Sequence, residues 1–295
     1  MKRFAPLWVL IAGILWGSMG LFVKSLAALG LSSLSITAFR LTSGSFVMIL
    51  GFLIIDRSKL KIRLRDLGWF VASAVFSVVA MSVLYFTSIN ATSMGVAAIL
   101  LYTAPIFVML MSCLLFKEKL TSKKLIALVL AFAGCVLVAG MAGSATTFGI
   151  LTGLGSGFAY ALYSIFGVVL LKRYHPFTVT VYTFTIAGIV SLLISNPAEQ
   201  IPILISGGPS AMMTAVAMGI VTAAIPYLLY TLGLRDMEAS RASVLATAEP
   251  MVAAILGILV YHEDVTPTKL LGIALILGAI LLLNARKKTR KAESC

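Results

Sequence analysis

"AAILLYTAPIFVMLMSCLLFKEKLTSKKLIAL" (Ala97–Leu128) and "SVLATAEPMVAAILGILVYHEDVTPTKLLGI" (Ser243–Ile273) are one pattern written twice. A gapless shift of 145 positions lays Pro105 on Pro250, Glu118 on Glu263, Thr121 on Thr266, Lys124 on Lys269 and Leu125 on Leu270. The same shift lays "LYFTSIN" (Leu84–Asn90) on "LYTLGLR" (Leu229–Arg235). The chain therefore divides into two related halves, residues 1–145 and 146–295. Each copy is an apolar run, a polar turn and a second apolar run, and a run of about 20 apolar residues is the length of helix that crosses a bilayer.

Working outward from that pair, ten such runs cover the chain: 6–27, 33–55, 67–88, 93–115, 123–142, 148–170, 176–195, 210–232, 240–261 and 268–285. With 60% hydrophobic and 11% charged residues and a mean hydropathy of +1.07, the 295 residues are too apolar for a soluble domain. The expected fold is an all-α integral membrane protein of ten transmembrane helices. Of 23 Lys and Arg residues, 20 fall in six clusters: Lys2 and Arg3; Arg57 to Arg65; Lys117 to Lys124; Lys172 and Arg173; Arg235 and Arg241; Arg286 to Lys291. Only Lys24, Arg40 and Lys269 lie elsewhere. Those clusters occupy alternate loops, so the net charge of +13 is a positive-inside signal that puts both termini in the cytoplasm, not a nucleic-acid footprint. The basic start followed by an apolar run resembles a signal peptide, but the run is long and nine more follow, so it reads as an uncleaved first span. Cys113, Cys135 and Cys295 have no metal-type spacing and imply no disulfide framework.

Five spans per half is an odd number, so the second half is expected upside down relative to the first. The loops agree: "FKEKLTSKKL" is strongly basic, whereas its mate "YHEDVTPTKL" is less basic and gains Asp264. Inverted helical repeats are characteristic of secondary transporters, with the substrate site near the bilayer midplane between the halves.

Glu249 sits about nine residues into the ninth run, roughly 13 Å along a helix and so near mid-membrane, where a charge costs free energy that something must offset. Ala242, Ala246, Ala253 and Gly257 share its helical face, and small residues there leave room for a neighbour or a cavity. The functional reading is a proton-titrating or cation-binding carboxylate; the bland one is a fixed structural ion pair. Arg40 is the one base well inside a span and Glu249 the one acid, so a direct pair between them is one expectation, with snorkelling of Arg40 to the interface as the other. Pro105, Pro226 and Pro250 fall mid-span, where each removes a backbone donor, and they are candidate hinges. Trp16, Tyr85, Tyr102, Tyr160, Tyr163 and Tyr230 are aromatic candidates for a cavity wall, with Ser18, Asn90, Thr103 and Thr222 as possible hydrogen-bonding groups. Tyr182 reads instead as part of an interface belt. Aromatic faces plus one carboxylate suit an organic cation, and a zwitterion needs a partner for its other end as well. No catalytic, metal or cofactor site is expected: His175 and His262 sit at opposite helix ends, and the chain lacks an HExxH pattern and a Walker loop.

Together with "ILWGSMG" (Ile14–Gly20) and "TAFR" (Thr37–Arg40), the doubled pattern resembles the ten-helix EamA family of the drug/metabolite transporter superfamily, from about Leu7 to Ala285. The resemblance implies a secondary transporter in the plasma membrane that moves a small organic metabolite, usually outward, by alternating access. Members similar in pattern carry amino acids, purines, quaternary amines or drugs, so it leaves the substrate open, and an amino acid or related amine is the expectation for this chain. It also implies a central cavity between the halves, with the fifth and tenth helices as supports or homodimer contacts. The partners expected are a small-molecule substrate and membrane lipid. A facilitative uniporter or exchanger of organic cations, or a flippase for lipids or polyprenyl carriers, is the alternative.

Overall fold

The structure, a computed structural model, describes residues 4–140 and 146–285. Lys2, Arg3, the basic tail from Arg286 to Lys291 and Cys295 lie outside the described residues, and the expected boundary at 145 falls at the edge of the gap between them.

Among the described residues ten helices are long and apolar enough to cross a membrane: Ala5–Ala27, Ser33–Ile54, Leu64–Ala91, Met94–Phe116, Ser122–Ala139, Thr147–Leu171, Pro176–Ile194, Gly208–Asp236, Ala239–Tyr261 and Pro267–Asn284. They are called spans 1 to 10 below. A short helix, Pro197–Ser206, joins spans 7 and 8. Spans 3 and 8 run further than their apolar stretches because hydropathy fades before the backbone does. At the end of span 8, for example, Arg235 and Asp236 pair at 3.0 Å and the helix carries them.

The spans are not uniform rods, and their irregularities recur at the repeat spacing. Span 4 consists of two helices, Met94–Leu101 and Ala104–Phe116, and span 9 of Ala239–Ala246 and Ala248–Tyr261. Spans 3 and 8 each widen into a π-type turn, at Ser73–Val79 and Ile220–Ala224. The polar turns after spans 4 and 9 also match: Lys117 and His262 take left-handed backbone at φ 55° and 53°. Thr121 and Thr266 then cap the next helices by accepting from the N–H groups of Lys124 and Lys269. One difference breaks the correspondence: span 1 is interrupted at Ser18, whereas span 6 runs unbroken.

Packing follows the same exchange of halves. Span 5 lies along span 10 and span 2 along span 7; span 1 against span 8 is matched by span 6 against span 3, and span 1 against span 9 by span 6 against span 4. The 5/10 seam is backbone on backbone: a Cβ on Gly134 would lie 2.7 Å from the Gly272 carbonyl, and one on Gly272 would lie 2.8 Å from that of Gly134. Only glycine permits that approach.

The loops gather at two ends. Those after spans 2, 4, 6 and 8 meet at a basic end, where Arg173 pairs with Asp66 at 2.8 Å and Lys124 with Glu238 at 3.0 Å. At the opposite end Ser32 N–H donates to Gln200 at 3.0 Å, and the Lys24 ammonium stands 3.3 Å from the Tyr261 ring centre.

Candidate functional site

The breaks in spans 4 and 9 are built alike from local sequence. Thr103 and Thr247 each turn N–H and hydroxyl back onto the carbonyl three residues earlier, Leu100 and Val244, at 2.6 to 3.2 Å. The doubled bond tightens the turn and ends the first helix, and the second restarts with Pro105 or Pro250 in its first turn, where no N–H is required. The prolines therefore do not kink a continuous helix, as their mid-span positions suggested; they open new ones. Pro226 likewise opens the regular part of span 8, just after its π-type turn.

Glycines let the facing half press into each break. A Cβ on Gly157 of span 6 would lie 2.5 Å from Thr103 Oγ1 and 2.7 Å from the Leu100 carbonyl. On the other side, a Cβ on Gly13 would lie 3.2 Å from the Ala246 carbonyl and one on Gly17 2.8 Å from that of Glu249. Span 1 thus covers the back of the span 9 break and leaves the Glu249 side chain to face inward.

It faces a cavity of about 280 Å³ enclosed by spans 1, 2, 3, 4, 6, 8 and 9. Its walls include Trp16, Arg40, Tyr85, Tyr160, Tyr227 and Glu249. Ser33 and Met94, the latter 70% exposed in the row of residues that begins span 4, place the cavity's mouth at the end opposite the basic one. Towards the basic end lies a recess of about 20 Å³ that Tyr102, Tyr160, Ser164, Tyr230, Ser243 and Glu249 share.

Tyr160 donates to Glu249 Oε2 at 3.5 Å, a long hydrogen bond. Arg40 is only 5% exposed; its Nη1 donates to the Met19 thioether at 2.9 Å and, among the described residues, its Nε has no hydrogen-bond partner. Glu249 and Arg40 line one cavity, yet among the described residues no ion pair within 4 Å joins them. The direct pair expected from their types is absent because they approach from different walls. Within the cavity Glu249 keeps the Tyr160 hydroxyl and Arg40 the Met19 sulfur as polar neighbours, so neither charge is compensated by an opposite one in contact with it.

The remaining candidates separate cleanly. Trp16 packs on Tyr227 and Tyr230, with ring centres 4.7 and 5.5 Å away, and its indole N–H has no hydrogen-bond partner among the described residues. Tyr85 is in the main cavity wall, Tyr102 and Tyr230 in the recess, and Tyr160 in both. Tyr163 lines neither: its hydroxyl is 3.0 Å from that of Thr231 and its ring backs Tyr227. Ser18 also lies outside both linings and donates to the Leu15 carbonyl at 2.7 Å. Tyr227, one of the polar-tipped aromatics of the spans, also lines the cavity, as do Met19, Met81 and Met218, which the sequence did not mark because Met at helical spacing reads as core.

Comparison with known proteins accords with this architecture. The pattern of the EamA-like transporter family matches residues 3–140 and, a second time, 147–285. The chain belongs to the EamA-like transporter family. A relative named as an uncharacterized transporter of Archaeoglobus fulgidus is 30% identical over 285 residues, 95% of this chain and 96% of that protein. The uncharacterized transporter YwfM of Bacillus subtilis is 29% identical over 98% of this chain and 96% of its own length. A crystal structure sharing 20% identity has the same fold, with a TM-score of 0.80 over 96% of this chain and 97% of the other. This EamA-like chain is accordingly a multi-pass membrane transporter, and the family and its named relatives are transporters rather than enzymes.

Proposed function

We propose that the protein is a secondary transporter for an amino acid or a related amine, exporting it across the plasma membrane by alternating access. The observation that carries this reading is the pair of opposite charges, Glu249 and Arg40, that line one aromatic cavity with, among the described residues, no ion pair between them. A ligand with an ammonium at one end and a carboxylate at the other satisfies both, whereas a plain organic cation leaves the Arg40 guanidinium facing a like charge. In this reading Glu249 takes the ammonium, with Tyr160 and Tyr85 offering ring faces, and a proton replaces the ammonium on Glu249 in the return half of the cycle.

The membrane orientation is part of the same proposal. The basic end faces the cytoplasm with both termini, following the positive-inside rule, and the cavity mouth faces outward. Two halves of five spans each then cross in opposite senses, so exchange of the halves in packing corresponds to an inverted repeat. Spans 5 and 10, away from the cavity, are left as supports and as the face for a homodimer.

The test is uptake into liposomes by purified protein, using amino acids and the amines that correspond to them without the carboxylate. Wild type is expected to concentrate an amino acid when a pH gradient is imposed, and Glu249→Gln is expected to lose the response to the gradient. Uptake that ignores both the gradient and the substitution would reassign the protein as a uniporter. Preference for the amines would favour organic cations, and movement of lipid alone would favour a flippase.

A further inference from the structure

We infer that Glu118 is the latch that holds the basic end of the transport path shut, and that its repeat-mate Glu263 is built to shut the other end when the basic end opens. The inference rests on the alternating-access reading and assigns the residues that decide which mouth is closed.

At the basic end Glu118 reaches out of its own turn. Its Oε1 accepts from the backbone N–H of Ala239 at 3.0 Å, the first residue of span 9, and its Oε2 accepts from the Ser240 hydroxyl. Lys124, 7% exposed, joins the cluster by pairing with Glu118 at 3.4 Å and with Glu238 at 3.0 Å. Span 9 is thereby tied by its N-terminus to the turn between spans 4 and 5, where Glu118 and Ala239 line a pocket at the basic end together with Val168, Leu171, Leu234 and Met237. An acid at a helix N-terminus also meets the positive end of the helix dipole.

The mate turn is the same object with its outer bonds unmade. Lys269 pairs with Glu263 at 3.1 Å and donates to the Asp264 carbonyl, as Lys124 pairs with Glu118 and donates to the Lys119 carbonyl. Glu263 N–H bonds the Gly257 carbonyl as Glu118 N–H bonds that of Ser112, both at 3.2 Å. Among the described residues, however, the Glu263 carboxylate has Lys269 as its one side-chain partner, and it stays 45% exposed. Subtracting 145 from Ala239 and Ser240 gives Met94 and Gly95, the first residues of span 4, and Met94 stands at the open mouth. The bond made at the closed end is thus missing at the open end, between residues related by the repeat.

Sequence differences also explain why this end is the open one. Where Ser240 offers a hydroxyl, Gly95 offers none, and where Glu238 binds Lys124, position 93 is a serine without charge. A latch formed by Glu263 on Met94 N–H therefore lacks two of the bonds that Glu118 and Lys124 make. Each charge-assisted bond shifts such a balance by about tenfold or more, so the resting state favours a closed basic end.

The experiment measures accessibility without solute, in protein whose Cys113, Cys135 and Cys295 are replaced by serine. Single substitutions Met94→Cys and Ser243→Cys report the open mouth and the basic-end recess, read as rates of reaction with a maleimide. Met94→Cys is expected to react fast and Ser243→Cys slowly. Adding Glu118→Gln should raise the Ser243→Cys rate at least about fivefold and lower that at Met94→Cys, on the population shift expected for one lost charged bond. Adding Glu263→Gln to that background should bring both rates back towards their starting values. A merely structural role for either turn would lower thermal stability without this cancellation. Rates within twofold of the parent after Glu118→Gln, or no cancellation by Glu263→Gln, overturn the inference. If Glu118→Gln does not fold, Ser240→Ala removes one latch bond alone and should shift the rates in the same sense by a smaller factor. Intact gradient-driven uptake with unmoved labelling rates would sink the latch and leave transport standing. The expected labelling without any uptake would sink the transport reading instead.

Discussion

Spans 4 and 9 share a backbone and differ in chemistry. Both break after a first helix of 8 residues, restart with a proline in the first turn and receive a glycine-bearing helix of the other half. Yet the residue before the proline is Ala104 in one and Glu249 in the other. The lesson is that the duplicated frame supplies geometry at two places, while charge is supplied at one. A cavity between two equivalent halves is thereby given a direction: the carboxylate enters from span 9 and the guanidinium from span 2, and neither has a charged mate at the repeat spacing, where Ala104 and Thr185 stand.

The largest effect should come from breaking the frame itself. Gly157→Leu and Gly13→Leu each force a side chain into backbone at a break, and each should cost about 3 kcal/mol or more, read as a lower thermal unfolding midpoint or loss of folded protein. Tolerance of one but not the other would show that the two breaks are not equivalent supports. Next is the chemistry that distinguishes them. Glu249→Ala should lower amino-acid uptake by at least about tenfold, the loss of one charge-assisted contact, whereas Ala104→Ser should stay within about twofold of wild type as a change of less than half a kcal/mol. Moving the acid with Ala104→Glu in the Glu249→Ala background should not restore uptake, because Ala104 faces the small recess and not the main cavity. Restored uptake would mean that the halves are interchangeable in chemistry as well as in shape. A smaller and more selective effect is expected for Arg40→Met: amino-acid uptake should fall by about tenfold and uptake of the matching amine by less, since only the former loses a charged partner. Equal losses would separate Arg40 from the carboxylate. Ser18→Ala should be the mildest, within about 0.5 kcal/mol in stability and without change in uptake, because its hydroxyl serves its own helix.

Several of these features were legible before any coordinates. Runs of apolar residues locate ten helices because the bilayer sets their length. The shift that pairs Pro105 with Pro250 marks the two halves, and Glu249 stands out because a carboxylate in such a run has no cheap explanation. The breaks were not legible: a proline announces a disturbance but not that the preceding helix stops at a threonine two or three residues earlier, which depends on hydroxyls folding back on Leu100 and Val244. The roles of tyrosines were hidden for a related reason. Tyr163 and Tyr227 are equally aromatic in the sequence, and only their neighbours decide that the first is spent on Thr231 and the second faces the cavity. The latch at Glu118 was half visible, as one member of a repeated Glu and Lys pair. Its reach to span 9 required the third dimension.

The hold on Arg40 bears on how quickly the cavity can be filled and emptied. Its Nη1 rests on the sulfur of Met19, a weak acceptor, and not on an oxygen anion. In the proposed cycle an arriving carboxylate displaces a soft neighbour and has no salt bridge to break first. The time such a group stays is then set by the bond it makes itself, so the soft neighbour eases loading without deciding release.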